Sequence, residues 1–254
     1  STAALTETNA IQSASGTLTA TDVDSSALFT VLMNVNGTNG YGQFSIDATG
    51  HWTYTMNTAH NEFVAGQVYT DSITVTTADG TTQLLTVTMT GTNDAAVITG
   101  TSIAALTETN AVQSASGTLT ATDVDSSALF TDLTNVDGVN GYGQFSINAT
   151  GHWTYTMNTA HDEFVAGQTY TDSITVTTAD GATQLLTVTI TGTNDAAVIS
   201  GTSTAALTET NAIQSASGTL TATDVDSSAL FIDLINVNGA NGYGRFSINA
   251  AGHW

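Results

Sequence analysis

The sequence predicts an all-β protein in which seven-stranded antiparallel β-sandwiches follow one another as beads on a string. Two observations predict this class: a segment of sandwich size recurs along the chain, and apolar residues alternate with Thr inside each copy. The copies are in register at Trp52, Trp153 and Trp254, which are spaced 101 residues apart. This period is too long for one turn of a solenoid and suits a self-sufficient domain. We interpret the chain as an excerpt from a longer polypeptide, with two complete repeats and the first half of a third, at 1–97, 98–198 and 199–254.

Alternation with a period of two predicts the strands of each repeat. In the first repeat Phe44 and Ile46 alternate with polar residues, and Trp52, Tyr54 and Met56 alternate with Thr. Thr is β-branched and suits the solvated face of a strand. A helical turn that packs Phe63 is expected within 57–68. The predicted strands of the first repeat cover about 3–8, 15–21, 28–35, 42–47, 51–56, 69–77 and 83–91.

Substitutions between the repeats predict which side chains face solvent. Position 31 is Val31 in the first repeat and Asp132 in the second, so this face of its strand tolerates a charge. The neighbouring Leu32 is expected to point into the core. Trp52 and Tyr54 share one strand face, so we expect them to pack in the core and not to form a sugar-stacking platform.

Composition excludes several kinds of site and partner. The net charge is -21, from 22 Asp and Glu against a single Lys or Arg, which excludes nucleic acid and anionic membranes as electrostatic partners. Cys is absent, so metal–thiolate sites and disulfides are excluded. Lys is absent as well, since the single basic residue is Arg245. Cations are therefore the natural counter-charges of this chain.

Strand order predicts where the acidic residues gather. With seven alternating strands, the chain enters a repeat at one pole and leaves at the other, so the exit of one repeat meets the entry loops of the next. We call these meeting points the first and second joints. Glu7, Asp22, Asp24 and Asp79 are expected at the entry pole of the first repeat. The residues expected at the first joint are Asn93, Asp94, Glu108, Asp123, Asp125 and Asp180, and those at the second are Asn194, Asp195, Glu209, Asp224 and Asp226.

Several oxygen ligands without a basic neighbour predict bound Ca²⁺ at each joint. Calcium takes six to eight oxygens in flexible geometry, whereas Mg²⁺ demands a stricter octahedron and keeps more waters. The Asp22-x-Asp24 pair does not continue into an EF-hand, because Met33 stands where that loop needs Glu. Asp and Asn also make good turns. Asp47 is replaced by Asn148 in the second repeat, which favours a turn role there.

Four runs of the first repeat resemble one known family, the VCBS repeat. They are ASGTLTATDVD at 14–24, GQFSIDATGHWTY at 42–54, DSITVTTADG at 71–80 and VTMTGTND at 87–94. The resemblance implies a cadherin-like, immunoglobulin-like module that occurs in arrays within giant secreted bacterial proteins, including RTX-type adhesins and biofilm-matrix proteins. By analogy with cadherins, it implies calcium held by Asn93, Asp94, Glu108, Asp123 and Asp125. Family members usually carry Pro after Asn-Asp, whereas this chain has Ala95-Ala96.

The sequence therefore favours a structural stalk of an extracellular bacterial adhesin over three other functions. One alternative is a subunit of a homopolymeric filament or surface layer, in which identical chains are partners. Another is a carbohydrate-binding module. Catalysis is the least favoured, because neither His51 nor His60 has a recognisable nucleophile setting around it. The expected partners are calcium ions and neighbouring repeats of the same chain.

Overall fold

A computed structural model describes residues 2–254, and the chain folds into β-strands joined by turns. Within the described residues, none forms a helix that is long and apolar enough to cross a membrane. The first repeat has the predicted seven strands, which are β1 (Thr2–Thr6), β2 (Ser13–Thr17), β3 (Leu32–Asn36), β4 (Gly42–Ile46), β5 (His51–Met56), β6 (Val68–Thr76) and β7 (Thr82–Thr90). They form two sheets, with strand orders β1-β7-β6 and β2-β5-β4-β3.

The second repeat has an additional strand that directly follows the linker. The strands are β8 (Val97–Gly100), β9 (Ile103–Thr107), β10 (Ser114–Thr122), β11 (Leu133–Asp137), β12 (Gly143–Ile147), β13 (His152–Met157), β14 (Thr169–Thr177) and β15 (Thr183–Thr191). The additional strand is β8, which pairs antiparallel with β10, so that Val97 lies opposite Thr122 and Gly100 opposite Leu119. The two sheets have strand orders β11-β12-β13-β10-β8 and β14-β15-β9.

The first strand departs from the predicted antiparallel arrangement. β1 pairs parallel with β7, with Thr2 opposite Thr86 and Thr6 opposite Thr90. In the second repeat β9 pairs parallel with β15 in the same way. First and last strands of a seven-stranded up-and-down order run in the same direction, so they are parallel when they become neighbours. The chain therefore enters and leaves the shared ladder at opposite ends.

The predicted core alternation is confirmed in the first repeat. Phe44, Trp52, Tyr54 and Met56 are buried on one face of their sheet. Trp52 is 3% exposed and Tyr54 0% exposed, so they offer no exposed platform for a sugar. Phe63 is also buried, in a turn closed by a hydrogen bond from its N–H to the His60 carbonyl.

Two local expectations of the first repeat have different outcomes. Val31 and Met33 are exposed, with 53% and 76% of their surface accessible, while Leu32 is partly buried. The expected helical turn within 57–68 is absent, and turns without helix occupy this segment. His60 has a positive φ of 59°, which interrupts right-handed helical geometry.

A buried carboxylate anchors the loop between β3 and β4. Asp71 is 0% exposed and accepts hydrogen bonds from the N–H groups of Asn39, Tyr41 and Gly42. A Cβ placed on Gly37 would overlap this carboxylate, so the loop needs glycine at that position. Asp172 repeats these bonds in the second repeat.

The third repeat is described as far as Trp254 and has two small sheets. Residues 204–208 match β1 in sequence but form no strand, because the 254 residues include no equivalent of β7 in this repeat with which they could pair. Phe246 and Tyr243 are exposed for the same reason. The strands are β16 (Val198–Gly201), β17 (Leu220–Thr223), β18 (Leu234–Asn238) and β19 (Arg245–Ile248), paired β16 with β17 and β18 with β19.

Candidate metal centres at the joints between repeats

Glu7 lies at the exit pole of the first repeat, where the chain leaves β7. Its Oε2 accepts hydrogen bonds from the Thr92 N–H at 3.2 Å and from the Thr92 hydroxyl at 2.6 Å. The sequence predicted Glu7 at the entry pole of the first repeat, and this prediction is wrong. β1 runs parallel to β7 and ends at Thr6, so Glu7 follows the end of the strand and reaches the exit pole with Thr92.

Glu108 is displaced from its predicted joint for the same reason. It was expected at the first joint but lies at the second joint. There its Oε2 accepts hydrogen bonds from the Thr193 N–H at 3.0 Å and from the Thr193 hydroxyl at 2.7 Å. Glu209, expected at the second joint, is exposed in a segment without strand structure. Glu108 therefore lies one joint further along the chain than predicted, and Glu7 lies at the opposite pole of its repeat.

Other residues of the first joint meet as predicted. The Asp94 N–H donates to Asp125 Oδ1 at 3.3 Å, and the Ala96 N–H donates to Asp180 Oδ2 at 2.7 Å. The Asn9 side-chain amide donates to Asp94 Oδ1 at 2.7 Å. These bonds connect the first repeat, the linker and two loops of the second repeat.

The joint concentrates carboxylate and amide oxygens that lack a donor. Glu7 is 1% exposed, Asp94 8% and Asp125 7%. A buried, unpaired carboxylate is unfavourable because it has lost its hydration without gaining a counter-charge. Among the described residues, the buried oxygens of this joint without a hydrogen-bond partner are Glu7 Oε1, Asp94 Oδ2, Asp123 Oδ2 and Asp125 Oδ2. Asn61 Oδ1 is also buried without a partner, and we assign it to this joint as the equivalent of Asp162, which lies beside Glu108 and Asp195 at the second.

The second joint repeats this arrangement. Its buried oxygens without a partner are Glu108 Oε1, Asp162 Oδ1, Asp195 Oδ2 and Asp226 Oδ2. Oxygens of Glu108, Asp162 and Asp195 all lie within 4.8 Å of one another. The Asp195 N–H donates to Asp226 Oδ1 at 3.3 Å, as its equivalent does at the first joint.

Burial and mutual repulsion shift the acidity of these groups. Burial raises the pKa of Asp94, and the charge of Glu7 adds to the effect. Burial also raises the pKa of Asp195, reinforced by the charges of Asp162 and Glu108. Asp125 has a pKa raised first by burial and then by its neighbour Asp123. A bound cation would remove this penalty on the charged forms.

The oxygen donors of the joints suit a hard divalent cation. Every unpartnered group that we assign to the joints is a carboxylate or an amide oxygen, and the chain's single Lys or Arg is Arg245 in the third repeat. Calcium accepts such oxygens in variable number and geometry. The residues present therefore fit the metal that the sequence predicts.

Some predicted ligands are not brought into a cluster. Asp22 accepts from the N–H groups of Asp24 and Ser25 at 2.8 Å, and these bonds lower its pKa to about 2. Asp24 is exposed. Asp79 is exposed and bonds to the hydroxyls of Thr77 and Thr81. In the first repeat these residues support turns.

Two further predicted ligands, Asn93 and Asn194, lie at the joints but on their surface. Both are exposed, and each side-chain amide donates to the carbonyl of the following Asp. Asp224 caps its own turn by accepting from the N–H groups of Asp226 and Ser227. Its equivalent Asp123 does the same while keeping one oxygen unpartnered.

Two positions of the joints were not predicted from the sequence. Asn61 and its equivalent Asp162 each contribute an unpartnered oxygen. Asn9 and its equivalent Asn110 hold the linker Asp through their side-chain amides. The available signal was the exchange of Asn for Asp between repeats at position 61, which retains an oxygen at the same place.

The chain was compared with curated proteins, with solved structures and with protein families. A search of curated proteins gives no match. Among solved structures the chain is similar to the protocadherin gammaB7 EC3-6 cis-dimer structure, at 14% identity and a TM-score of 0.48, covering 99% of this chain and 62% of that one. It is also similar to the protocadherin GammaB4 extracellular domain, at 16% identity and a TM-score of 0.43, covering 89% of this chain and 37% of that one. It is also similar to mouse cadherin-23 EC22-24, at 17% identity and a TM-score of 0.46, covering 99% of this chain and 83% of that one.

The family itself is identified from the sequence. The chain spans less than two thirds of the length of the two protocadherin chains that it resembles. A family match covers both complete repeats, at residues 1–91 and 93–192. This chain belongs to the bacterial cadherin-like domain family.

Proposed function

We propose that this chain is a run of extender repeats in a secreted or cell-surface bacterial adhesin, stiffened by calcium at each joint. The repeats hold a terminal binding region away from the cell and so serve adhesion or biofilm formation. The resemblance to VCBS repeats supports an RTX-type adhesin as the parent protein. Each complete bead corresponds to one repeat, at 1–97 and 98–198, and 199–254 is the first half of a third.

One observation carries the proposal: unpartnered buried oxygens from two successive repeats and their linker converge at each joint. At the first joint they come from Glu7, Asp94 and Asp125, which belong to the first repeat, the linker and the second repeat. A cation held by all three would link the two beads and restrict bending between them. Without it, the same carboxylates repel one another and favour an open joint.

Composition supports a metal in this role. The chain has no Cys and no Lys, so neither a disulfide nor a Lys–Asn isopeptide bond can connect its parts. The linker Ala95-Ala96 also lacks the stiffness that Pro would give. Ion coordination is the strong non-covalent connection that remains available to this composition.

The experiment is small-angle X-ray scattering of the whole chain at constant ionic strength. The chain is measured while CaCl₂ is added stepwise until it is in excess over the joints. It is measured again after EDTA is added, and once more after calcium is restored. We expect a longer maximum dimension and a stiffer profile with calcium, and reversal with EDTA. Replacing CaCl₂ by NaCl of equal ionic strength controls for general screening. A profile that is the same in calcium and in EDTA contradicts the proposed function.

A further inference from the structure

Two strands of the chain, β8 and β16, directly follow a linker and pair with the repeat that comes after it. We call them linker strands. In the second repeat Val97 lies opposite Thr122 and Gly100 opposite Leu119, and the Ile98 side chain packs against the buried core. β16 pairs with β17 in the same register one period later. Each of these repeats therefore contains a linker strand as part of its own sheet.

The residue after each linker strand holds the Trp of its repeat. The Trp153 indole N–H donates to the Thr101 carbonyl at 2.7 Å. The Trp254 indole N–H donates to the Thr202 carbonyl at 2.6 Å. Trp52 of the first repeat is 3% exposed, and its indole N–H has no hydrogen-bond partner among the described residues. A buried N–H without an acceptor is unfavourable, so this group indicates a place for a carbonyl oxygen.

The matching sheet edge of the first repeat is open. Residues 18–21 are the equivalents of the β10 residues that pair with β8, but they form no strand, and no described strand pairs with them. A groove of about 230 Å³ lies beside this edge, lined by Leu18, Phe29 and Gln83 among others. Leu18 is only partly buried, whereas Leu119, which pairs with β8, is 1% exposed. The open edge and the groove together have room for one more strand.

A carboxylate at this groove matches one that fastens a linker. In the second repeat Asp180 accepts from the N–H of Ala96, the residue directly before β8. The equivalent residue of the first repeat is Asp79, which is exposed and lines the groove. An incoming linker strand would therefore meet an acceptor for the N–H that precedes it.

The backbone of this site requires glycine in the strand that it takes. Gly100 and Gly201 have φ values of 108° and 102°, which residues with a side chain rarely adopt. A Cβ on Gly100 would lie 2.4 Å from the Thr118 carbonyl oxygen, and one on Gly201 would lie 2.5 Å from that of Thr219. Thr17 is the equivalent of these threonines, so a strand paired with the first repeat needs glycine at the same place.

We propose that residues 18–21 and the Trp52 indole N–H form an acceptor site for a linker strand that another cadherin-like repeat donates. The strand pairs antiparallel with the edge, as extended peptides do when they add to a sheet. Its Ile fills the groove, its Gly lies opposite Leu18, and the carbonyl of the next residue accepts from Trp52. The occupant is a linker strand because such a strand fills the same site in the second and third repeats. This inference goes beyond the proposed function, since the site connects repeats without a metal.

The test is a calorimetric titration of the whole chain, in excess CaCl₂, with a synthetic peptide of the sequence of residues 93–102, NDAAVITGTS. We expect one peptide to bind per chain, because β8 and β16 already fill the sites of the other repeats. The same peptide with Gly100→Ala should bind about tenfold or more weakly, because the added methyl group meets a carbonyl oxygen at a positive φ. A scrambled peptide of the same composition controls for charge and should not bind.

NMR of the indole N–H groups locates the bound peptide. The signal of Trp52, identified by its loss in Trp52→Phe, should shift when the peptide is added, while the signals of Trp153 and Trp254 stay in place. Absence of binding, equal binding of the peptide and its Gly100→Ala form, or a shift confined to the other two signals would overturn the inference. None of these outcomes bears on calcium at the joints, which the scattering experiment tests separately.

Discussion

Glu7 and Thr92 form a two-point contact in which one carboxylate oxygen accepts from both the backbone N–H and the hydroxyl of the threonine. The contact holds the Glu7 side chain at the start of the linker, with its other oxygen buried and without a partner. Glu108 and Thr193 repeat the contact one period later. This pairing directs a carboxylate of each complete repeat into the joint that follows it.

Glu7→Gln should weaken calcium binding at the first joint. The amide can still accept from Thr92, but it removes one negative charge from the cluster around Asp94. We expect an affinity loss of about tenfold at that joint, measured by calcium titration of the whole chain. Glu209→Gln is the control, because Glu209 is exposed and lies away from both clusters. Equal losses in the two variants would contradict a specific role of Glu7.

Asp71→Asn should destabilise the first repeat. The carboxylate accepts from several backbone N–H groups, and an amide would bring N–H groups of its own against these donors. We expect a loss of about 2–4 kcal/mol in the free energy of unfolding, measured by thermal or urea denaturation in calcium. Asp47→Asn is the control, because Asn148 already makes the same turn bonds in the second repeat. A variant of Asp71 as stable as that of Asp47 would exclude the anchoring role.

Gly37→Ala should be far more damaging than the equivalent change in the third repeat. The added methyl group would overlap the Asp71 carboxylate and displace the loop that it anchors. At Gly239 the nearest atom to a new Cβ is a Phe246 ring carbon at 3.1 Å, which a small movement can relieve. We expect a loss of about 1–3 kcal/mol for Gly37→Ala and a clearly smaller one for Gly239→Ala, by the same denaturation measurement. Similar losses would show that the contact with Asp71 does not decide the need for glycine.

The metal-free joints should open as the pH rises. The pKa values of Asp94, Asp125 and Asp195 are raised in the closed joint and return to their ordinary values in an open one. The closed joint therefore binds more protons, so its advantage is complete at low pH and is lost as the pH rises through the raised values. Scattering in EDTA between about pH 4 and pH 7 should show increasing flexibility.

A variant series separates this effect from general repulsion between acidic repeats. The double variant Asp94→Asn, Asp195→Asn should reduce the pH dependence, while Asp137→Asn should leave it in place. In excess calcium the trend should reverse, since protons compete with the ion for the same oxygens. A metal-free chain that becomes more open as the pH falls would disprove the assignment.

The sequence predicted much of the fold because its signals are local and repeated. Alternation around Trp52 and Tyr54 located a strand and its buried face, and the substitution of Val31 by Asp132 located an exposed one. The position of Glu7 depended on a non-local fact, the pairing of β1 with β7, which no local pattern specifies. Asn61 was missed because its turn is close to the joint in space but distant from the linker in sequence.

The parallel pairing of the first and last strands has a mechanical consequence. Tension on the two ends of a repeat pulls β9 and β15 in opposite directions along their shared ladder, which extends from the Ile103–Thr187 pair to the Thr107–Thr191 pair. The hydrogen bonds lie across the pulling direction, so they are loaded in shear together and do not unzip one after another. A bead built in this way resists extension until most of the ladder fails at once.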